Sequence, residues 1–423
     1  MTFALFLGAG NIIFPPGAGL SAGTNMGLVS LGFLLTGVGL PLMTIVALAR
    51  VGGGLSVLSS PMGKRASTLF AVIIYLAIGP FFATPRTAVV SFEVGMAPFV
   101  GGSHTALFIY SASFFIVALA LSLNPGRLVD SVGKVITPIL LAALLVMGIT
   151  AVLSPSGSVG EPSAGYQTAP FVKGFLQGYL TMDTLGALVF GIVIANAITN
   201  KGVTDKKLIT KYSIIAGLIA AIGLSAVYLS FFYLGAISHD IAANAKNGGQ
   251  VLTAYAQSMF GFYGQILLSI VITLACLTTA IGLLSACGEY FQQRFSIPYK
   301  LTVVVFACFS FLASNQGLTQ LISFSIPVLT SLYPLAIVLV SLNLLNKFWI
   351  SPPRIFIPVM LVTLFFSIID SISATRFSDL LPSFLNYLPL TDHSLSWIVP
   401  ALITLVIVVV IDRSKGKGQV IPV

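Results

Sequence analysis

Asp183 is the acid that the sequence places deepest in an apolar run, inside Gly178-Tyr179-Leu180-Thr181-Met182-Asp183-Thr184-Leu185-Gly186. A carboxylate at the centre of a bilayer costs roughly 3 kcal/mol on insertion scales. Asp183 is therefore expected to be paired, hydrated or bound to a cation, and the competing explanation is a structural pair with a neighbouring helix. A second unusual stretch, Gly8-Ala9-Gly10-Asn11-Ile12-Ile13-Phe14-Pro15-Pro16, puts two glycines, a polar amide and a proline pair into the first apolar run. Glycine and proline both weaken a helix there. An interrupted helix exposes N–H groups at the start of one half and C=O groups at the end of the other, so it can receive an anion and a small cation. Packing glycines are the plainer explanation, but packing does not call for Asn11 and Pro15-Pro16 beside them.

Two weaker signals stand apart from these. Ala275-Cys276-Leu277-Thr278-Thr279 offers two adjacent hydroxyls and a nearby carbonyl inside an apolar run. Hard oxygen donors of low charge suit a cation, although threonine hydroxyls often bond back to their own helix. Arg86 and Glu93 are seven apart and share a helix face toward its outer end, which fits either a structural salt bridge or a gating pair.

Enzyme motifs are missing: there is no phosphate-binding lysine loop, GxSxG, HExxH or dinucleotide fingerprint, so no cofactor is expected. Cys276, Cys287 and Cys308 fall in apolar runs without CxxC spacing and are read as small buried hydrophobes. His104, His239 and His393 lie in polar connections without ligand spacing and are read as surface residues.

Composition sets the kind of segment that carries these residues. Of 423 residues, 57% are hydrophobic and only 7% charged, and the mean hydropathy is +1.04. A soluble domain carries roughly a quarter charged residues, so the solvent of this surface is lipid. Apolar runs of about 20 residues require helices rather than barrel strands. The fold class expected is an all-α polytopic membrane protein. Its twelve helices fall near 2–22, 26–49, 67–90, 105–123, 135–153 and 174–198, then near 214–237, 266–287, 301–313, 318–345, 355–369 and 395–411. The polar stretches 154–173 and 239–261 read as loops.

The net charge of +9 lies in short connections, which argues for membrane orientation rather than nucleic acid. With a cytoplasmic start, all but Arg86, Lys173, Lys246 and Arg376 of the 20 basic residues fall inside, which places both termini in the cytoplasm. Spans one and six, the two interrupted ones, are five apart. That is the offset of an inverted repeat with broken helices meeting at a midplane site. The chain divides accordingly into a core, 1–345, made of repeats 1–153 and 174–345, and two further helices with a short tail, 346–423.

FALFLGAGNIIFPP (Phe3 to Pro16), GLPLMTIVALARVGGG (Gly39 to Gly54), YLAIGPFFATPRTAVVSFEVG (Tyr75 to Gly95), GYLTMDTLGALVFGIVIANA (Gly178 to Ala197) and SIPVLTSLYP (Ser325 to Pro334) together resemble the bacterial branched-chain amino acid:cation symporter family. The likeness covers essentially the whole chain. It implies a bacterial inner-membrane importer of leucine, isoleucine and valine driven by sodium. The implied fold is that of the sodium-dependent leucine transporter, with five-plus-five inverted repeats.

Carried over to this sequence, the substrate's charged groups would meet Phe6, Gly8, Ala9, Gly10 and Asn11 of the first span. Opposite them would stand the stretch from Leu180 to Gly186, with Thr181, Asp183, Thr184 and Gly186. A sodium ion would meet carbonyls near Ala4, Leu7 and Ala275 and the hydroxyls of Thr278 and Thr279. Family members also carry a stretch ahead of the position of Met1 that supplies the cytoplasmic half of the first helix. The likeness thus implies either a start placed late or a shortened first span.

Proton coupling through Asp183 is the alternative to sodium. A membrane-embedded enzyme lacks a catalytic partner for Asp183, a channel lacks a polar pore face, and direction of transport is not written in the sequence. Nothing in it sets an oligomeric state.

Overall fold

The computed structural model describes residue 3 and residues 6–123, 127–199, 201–375, 381–382, 385 and 389–416. Helix is the only regular structure among these residues, as continuous apolar segments in lipid require. Among the described residues, seven helical stretches have the length and composition to cross a membrane: Ala9–Val51, Lys64–Val100, His104–Leu123, Lys206–Ala236, Gly248–Phe295, Leu318–Leu344 and Pro352–Ser373. Shorter apolar helices cover Pro138–Leu153 and Tyr299–Ser314.

Three local features depart from the reading above. Pro15 and Pro16 lie inside an unbroken helix, Ala9–Ala22; the interruption falls earlier, at Leu7 and Gly8. The stretch 239–261 is not a loop. His239–Ala242 is a short helix, and Gly248 opens a helix that runs to Phe295 with a bend at Gly261, whose φ of 60° suits glycine. Cys276 and Cys287 are buried as expected, but Cys308 is exposed. Of the basic residues used for orientation, Arg376 and Lys417 lie outside the described residues, as do the side chains of Arg127, Lys134 and Lys415.

Two compact units emerge from the packing. The first gathers residues 1–39, 75–186 and 215–323. Its tightest seam joins the Pro170–Gln177 helix to the Met26–Leu34 helix. Small residues permit it: a Cβ on Gly32 would overlap the Phe171 carbonyl, and one on Gly174 the Val29 carbonyl. Lipid gives helices no hydrophobic reason to associate, so close backbone approach of this kind supplies the packing.

The second unit gathers residues 40–74, 187–214 and 324–423. There the Pro352–Ser373 and Ile398–Gly416 helices form an antiparallel pair. Asp412, near the end of one, accepts from the Ile350 and Ser351 amides at the start of the other at 2.8 and 3.1 Å. Asp370, near the end of the first, is fully buried. Asp412 thus stands at the positive end of the partner helix.

Candidate functional site

The site lies within the first unit, where the two interrupted spans meet. In the first span Leu7 and Gly8 leave the helix and Ala9 resumes it. Asn11, third residue of the resumed helix, accepts from the Gly8 amide through Oδ1 at 3.3 Å. This is half of a capping box and satisfies a donor that the break sets free. In the sixth span the helix tightens to a 3₁₀ turn at Gly178–Thr181, and Met182 takes a left-handed conformation with φ of 62°. A non-glycine residue held there is strained. Asp183 then starts the next helix, which runs to Thr199.

The unwound stretch is tied down on several sides. In the second span a π turn at Leu35–Gly39 presents Thr36, whose hydroxyl donates to the Phe175 carbonyl at 2.7 Å. The Thr36 carbonyl accepts from the Thr184 hydroxyl at 3.4 Å. Both sides of the break are thereby fastened to one residue. Gly10 brings the first span against it, since a Cβ there would come within 3.2 Å of Thr181 Cα. Thr181 donates to the Gly178 carbonyl at 2.9 Å and accepts from the Asp183 amide at 3.4 Å. The Gly186 amide closes the first turn on the Met182 carbonyl at 2.8 Å.

Asp183 is held by side chains from two other spans. Asn11 Nδ2 donates to both carboxylate oxygens, at 2.9 and 2.8 Å. Tyr228, in the seventh span, donates its hydroxyl to Oδ2 at 2.7 Å and itself accepts from Asn11. These side chains are nearly sealed, at 4%, 1% and 0% exposure for Asp183, Asn11 and Tyr228. Thr36 and Tyr228 were absent from the sequence-based site. A threonine beside Gly37 and a tyrosine in an apolar helix give no periodic signal.

Arg86 and Glu93 do not serve each other. Arg86 Nη1 donates to the Leu180 carbonyl at 2.7 Å, and the guanidinium lies 5.2 Å from the Phe14 ring centroid. Glu93 accepts from Asn247 Nδ2 at 2.7 Å. Glu93 belongs instead to a cavity of about 820 Å³ that it lines with His104, Gln250 and Gln257. The third span bends between them: the Ser91–Met96 segment is a π turn, which breaks the seven-residue register that pairing would need.

The hydroxyls of Thr278 and Thr279 both donate to the Ala275 carbonyl of their own helix, at 2.9 and 3.0 Å. Three oxygens therefore converge within hydrogen-bonding distance. This cluster adjoins the first break, because a Cβ on Gly8 would stand 3.4 Å from Thr279 Cγ2 and 3.7 Å from its Oγ1. Phe6, Leu7, Ala9 and Gly10 are buried there, and Ala4 lies outside the described residues. Among the described residues no three His, Cys, Asp or Glu side chains gather into a metal-binding group.

An all-helical polytopic architecture with two broken spans meeting at a buried polar cluster is that of the leucine-transporter-like fold. Two solved structures share it: Mhp1, a nucleobase-cation-symport-1 family transporter, at TM-score 0.61, 17% identity and coverage of 99% of this chain and 92% of that one, and MhsT in complex with L-phenylalanine at 0.54, 16%, and 96% of each. The profile of the family "Branched-chain amino acid transport protein" matches residues 1–415, and the chain belongs to that family. Relatives include the branched-chain amino acid transport system 2 carrier protein of Pseudomonas aeruginosa, 61% identical with 99% of this chain and 96% of the relative aligned. The branched-chain amino acid permease BrnQ of Escherichia coli is 48% identical, with 99% and 95% aligned. These relatives are carriers by name, and the chain is a transporter rather than an enzyme.

Proposed function

We propose that this protein imports leucine, isoleucine and valine across the bacterial inner membrane by alternating access, with both termini cytoplasmic and sodium as the coupling ion. The observation that carries this reading is the sealed Asn11–Asp183–Tyr228 cluster at the meeting of the two breaks. A carboxylate there receives the substrate ammonium. The two broken spans also bury Phe6, Phe14 and Leu180; apolar surroundings suit an aliphatic side chain and penalise a polar one, whose unpaired burial costs several kcal/mol. Equal competition by lysine or glutamate would exclude this selectivity.

Sodium is assigned to the Ala275 carbonyl and the Thr278 and Thr279 hydroxyls beside Gly8, with carbonyls near Ala4 and Leu7 completing the set. Each hydroxyl oxygen keeps acceptor lone pairs while it donates. The inverted repeats, 1–153 and 174–345, supply one broken span each, and 346–423 adds two helices. A second reading, proton coupling, is favoured by the same buried Asp183. Uptake of labelled leucine into vesicles at fixed pH, with and without a sodium gradient, separates the two. Thr278→Ala with Thr279→Ala is expected to abolish sodium-driven accumulation with membrane insertion intact; normal sodium dependence in that variant would sink the ion site.

A further inference from the structure

We propose that Arg86 is the receptor for the substrate carboxylate, so that the transport site reads the two charges of an α-amino acid separately, Asp183 the ammonium and Arg86 the carboxylate. This rests on the transport reading above and specifies how the site tells an amino acid from an amine or an acid of the same shape.

A guanidinium inside a membrane span is expensive and persists there for function or for a strong partner. Arg86 is 3% exposed and sits in the Ala83–Val90 segment of the third span, set off by π turns at Ala77–Phe81 and Ser91–Met96. It reaches both broken spans at once. It touches the sixth through the Leu180 carbonyl, three residues before Asp183, and the first through the Phe14 ring, three residues after Asn11. The Asp183 carboxylate, three residues from that carbonyl, is hydrogen-bonded by the neutral groups of Asn11 and Tyr228. A positive and a negative group therefore flank the unwound stretch, the arrangement a zwitterion requires.

The Leu180 carbonyl is also a modest acceptor for this donor. A carboxylate offers two oxygens to the planar fork and can pair with it bidentately, which a single carbonyl oxygen cannot. An incoming substrate carboxylate can therefore replace or share that bond.

The test uses the full chain, purified, with binding followed by calorimetry for three ligands in turn: leucine, 3-methylbutylamine, which is leucine without its carboxylate, and 4-methylpentanoate, which is leucine without its ammonium. Arg86→Gln is expected to weaken leucine about tenfold to a hundredfold, the loss of a charge-assisted hydrogen-bonded pair. The same variant should leave the amine within about threefold of its wild-type affinity, because the amine never used Arg86. Arg86→Lys keeps the charge without the fork and should fall between.

Equal weakening of leucine and the amine in Arg86→Gln would overturn the proposal and make Arg86 a structural pin. Unchanged leucine affinity would overturn it as well. If Arg86→Gln shows no cooperative unfolding transition, Arg86→Lys decides on the same ratio. Asp183→Asn is measured in parallel and should weaken the amine but not 4-methylpentanoate. An unchanged amine affinity there would remove the transport-site reading of Asp183 whatever Arg86 does.

Discussion

Buried acids in two regions of this protein have opposite explanations. Asp412, in the closing helix pair of the second unit, accepts from the Ile350 and Ser351 amides at a helix start. Its charge is accounted for by a helix dipole and two freed N–H groups, so it is an architectural acid. Asp183, in the first unit, follows a left-handed residue in an unwound stretch and is held by side chains of two other spans. Helix capping leaves that arrangement unexplained. An acid becomes a candidate for binding when its neighbours are themselves polar side chains brought in from elsewhere at a desolvation cost. Those groups are high-stakes in a low-dielectric interior.

Four substitutions at three positions probe the contrast. Asp183→Asn keeps the shape and removes the charge, and leucine transport is expected to fall by at least about 100-fold, as for truncation of a buried hydrogen-bonded charge partner. Asp183→Glu should also transport poorly, because a sealed site tolerates little displacement. Leucine uptake at the normal rate, per molecule reaching the membrane, would make Asp183 as architectural as Asp412. Tyr228→Phe removes one donor to Asp183 and leaves the ring packed against Phe33, which it meets edge-on at 5.2 Å. Its expected cost is about tenfold in leucine affinity, since a hydrogen bond to a charged group contributes about 1.5 kcal/mol or more. A loss of thermal stability with unchanged affinity would move Tyr228 out of the site. Asp412→Ala removes an acceptor from a helix start and should cost about 1 kcal/mol of stability, seen as a melting point lower by roughly 2 °C. Leucine affinity should be unaffected, and a change in it would show that the closing pair is coupled to binding.

Much of this was legible in the residues because lipid is a strict solvent. A backbone that must satisfy itself spans as helix, and so apolar length alone places the segments: 104–123 against an expected 105–123, and 318–344 against 318–345. The same strictness made the breaks visible, because Gly8, Gly10 and an acid at 183 are departures that lipid would otherwise remove. The proline pair misled for a local reason. Pro15 and Pro16 each forfeit a hydrogen bond, but the helix turns through them, and the real break needed only the freedom of Gly8.

Composition and spacing within single segments were enough for the helical class, the membrane environment, the two interrupted spans and Asp183 as a buried acid. The partners of these residues came from the packing of the helices. Asn11 and Asp183 meet across 172 residues and Asn11 and Tyr228 across 217, and no periodicity within a helix encodes such a distance. The structure also parted Arg86 from Glu93, sending one to Leu180 and the other to Asn247. Seven residues on an ideal helix share a face, but the π turn at Ser91–Met96 rotates that face. Where a side chain points in a membrane bundle is thus set by which backbones can approach closely enough to receive it, and that is a property of the packed helices together.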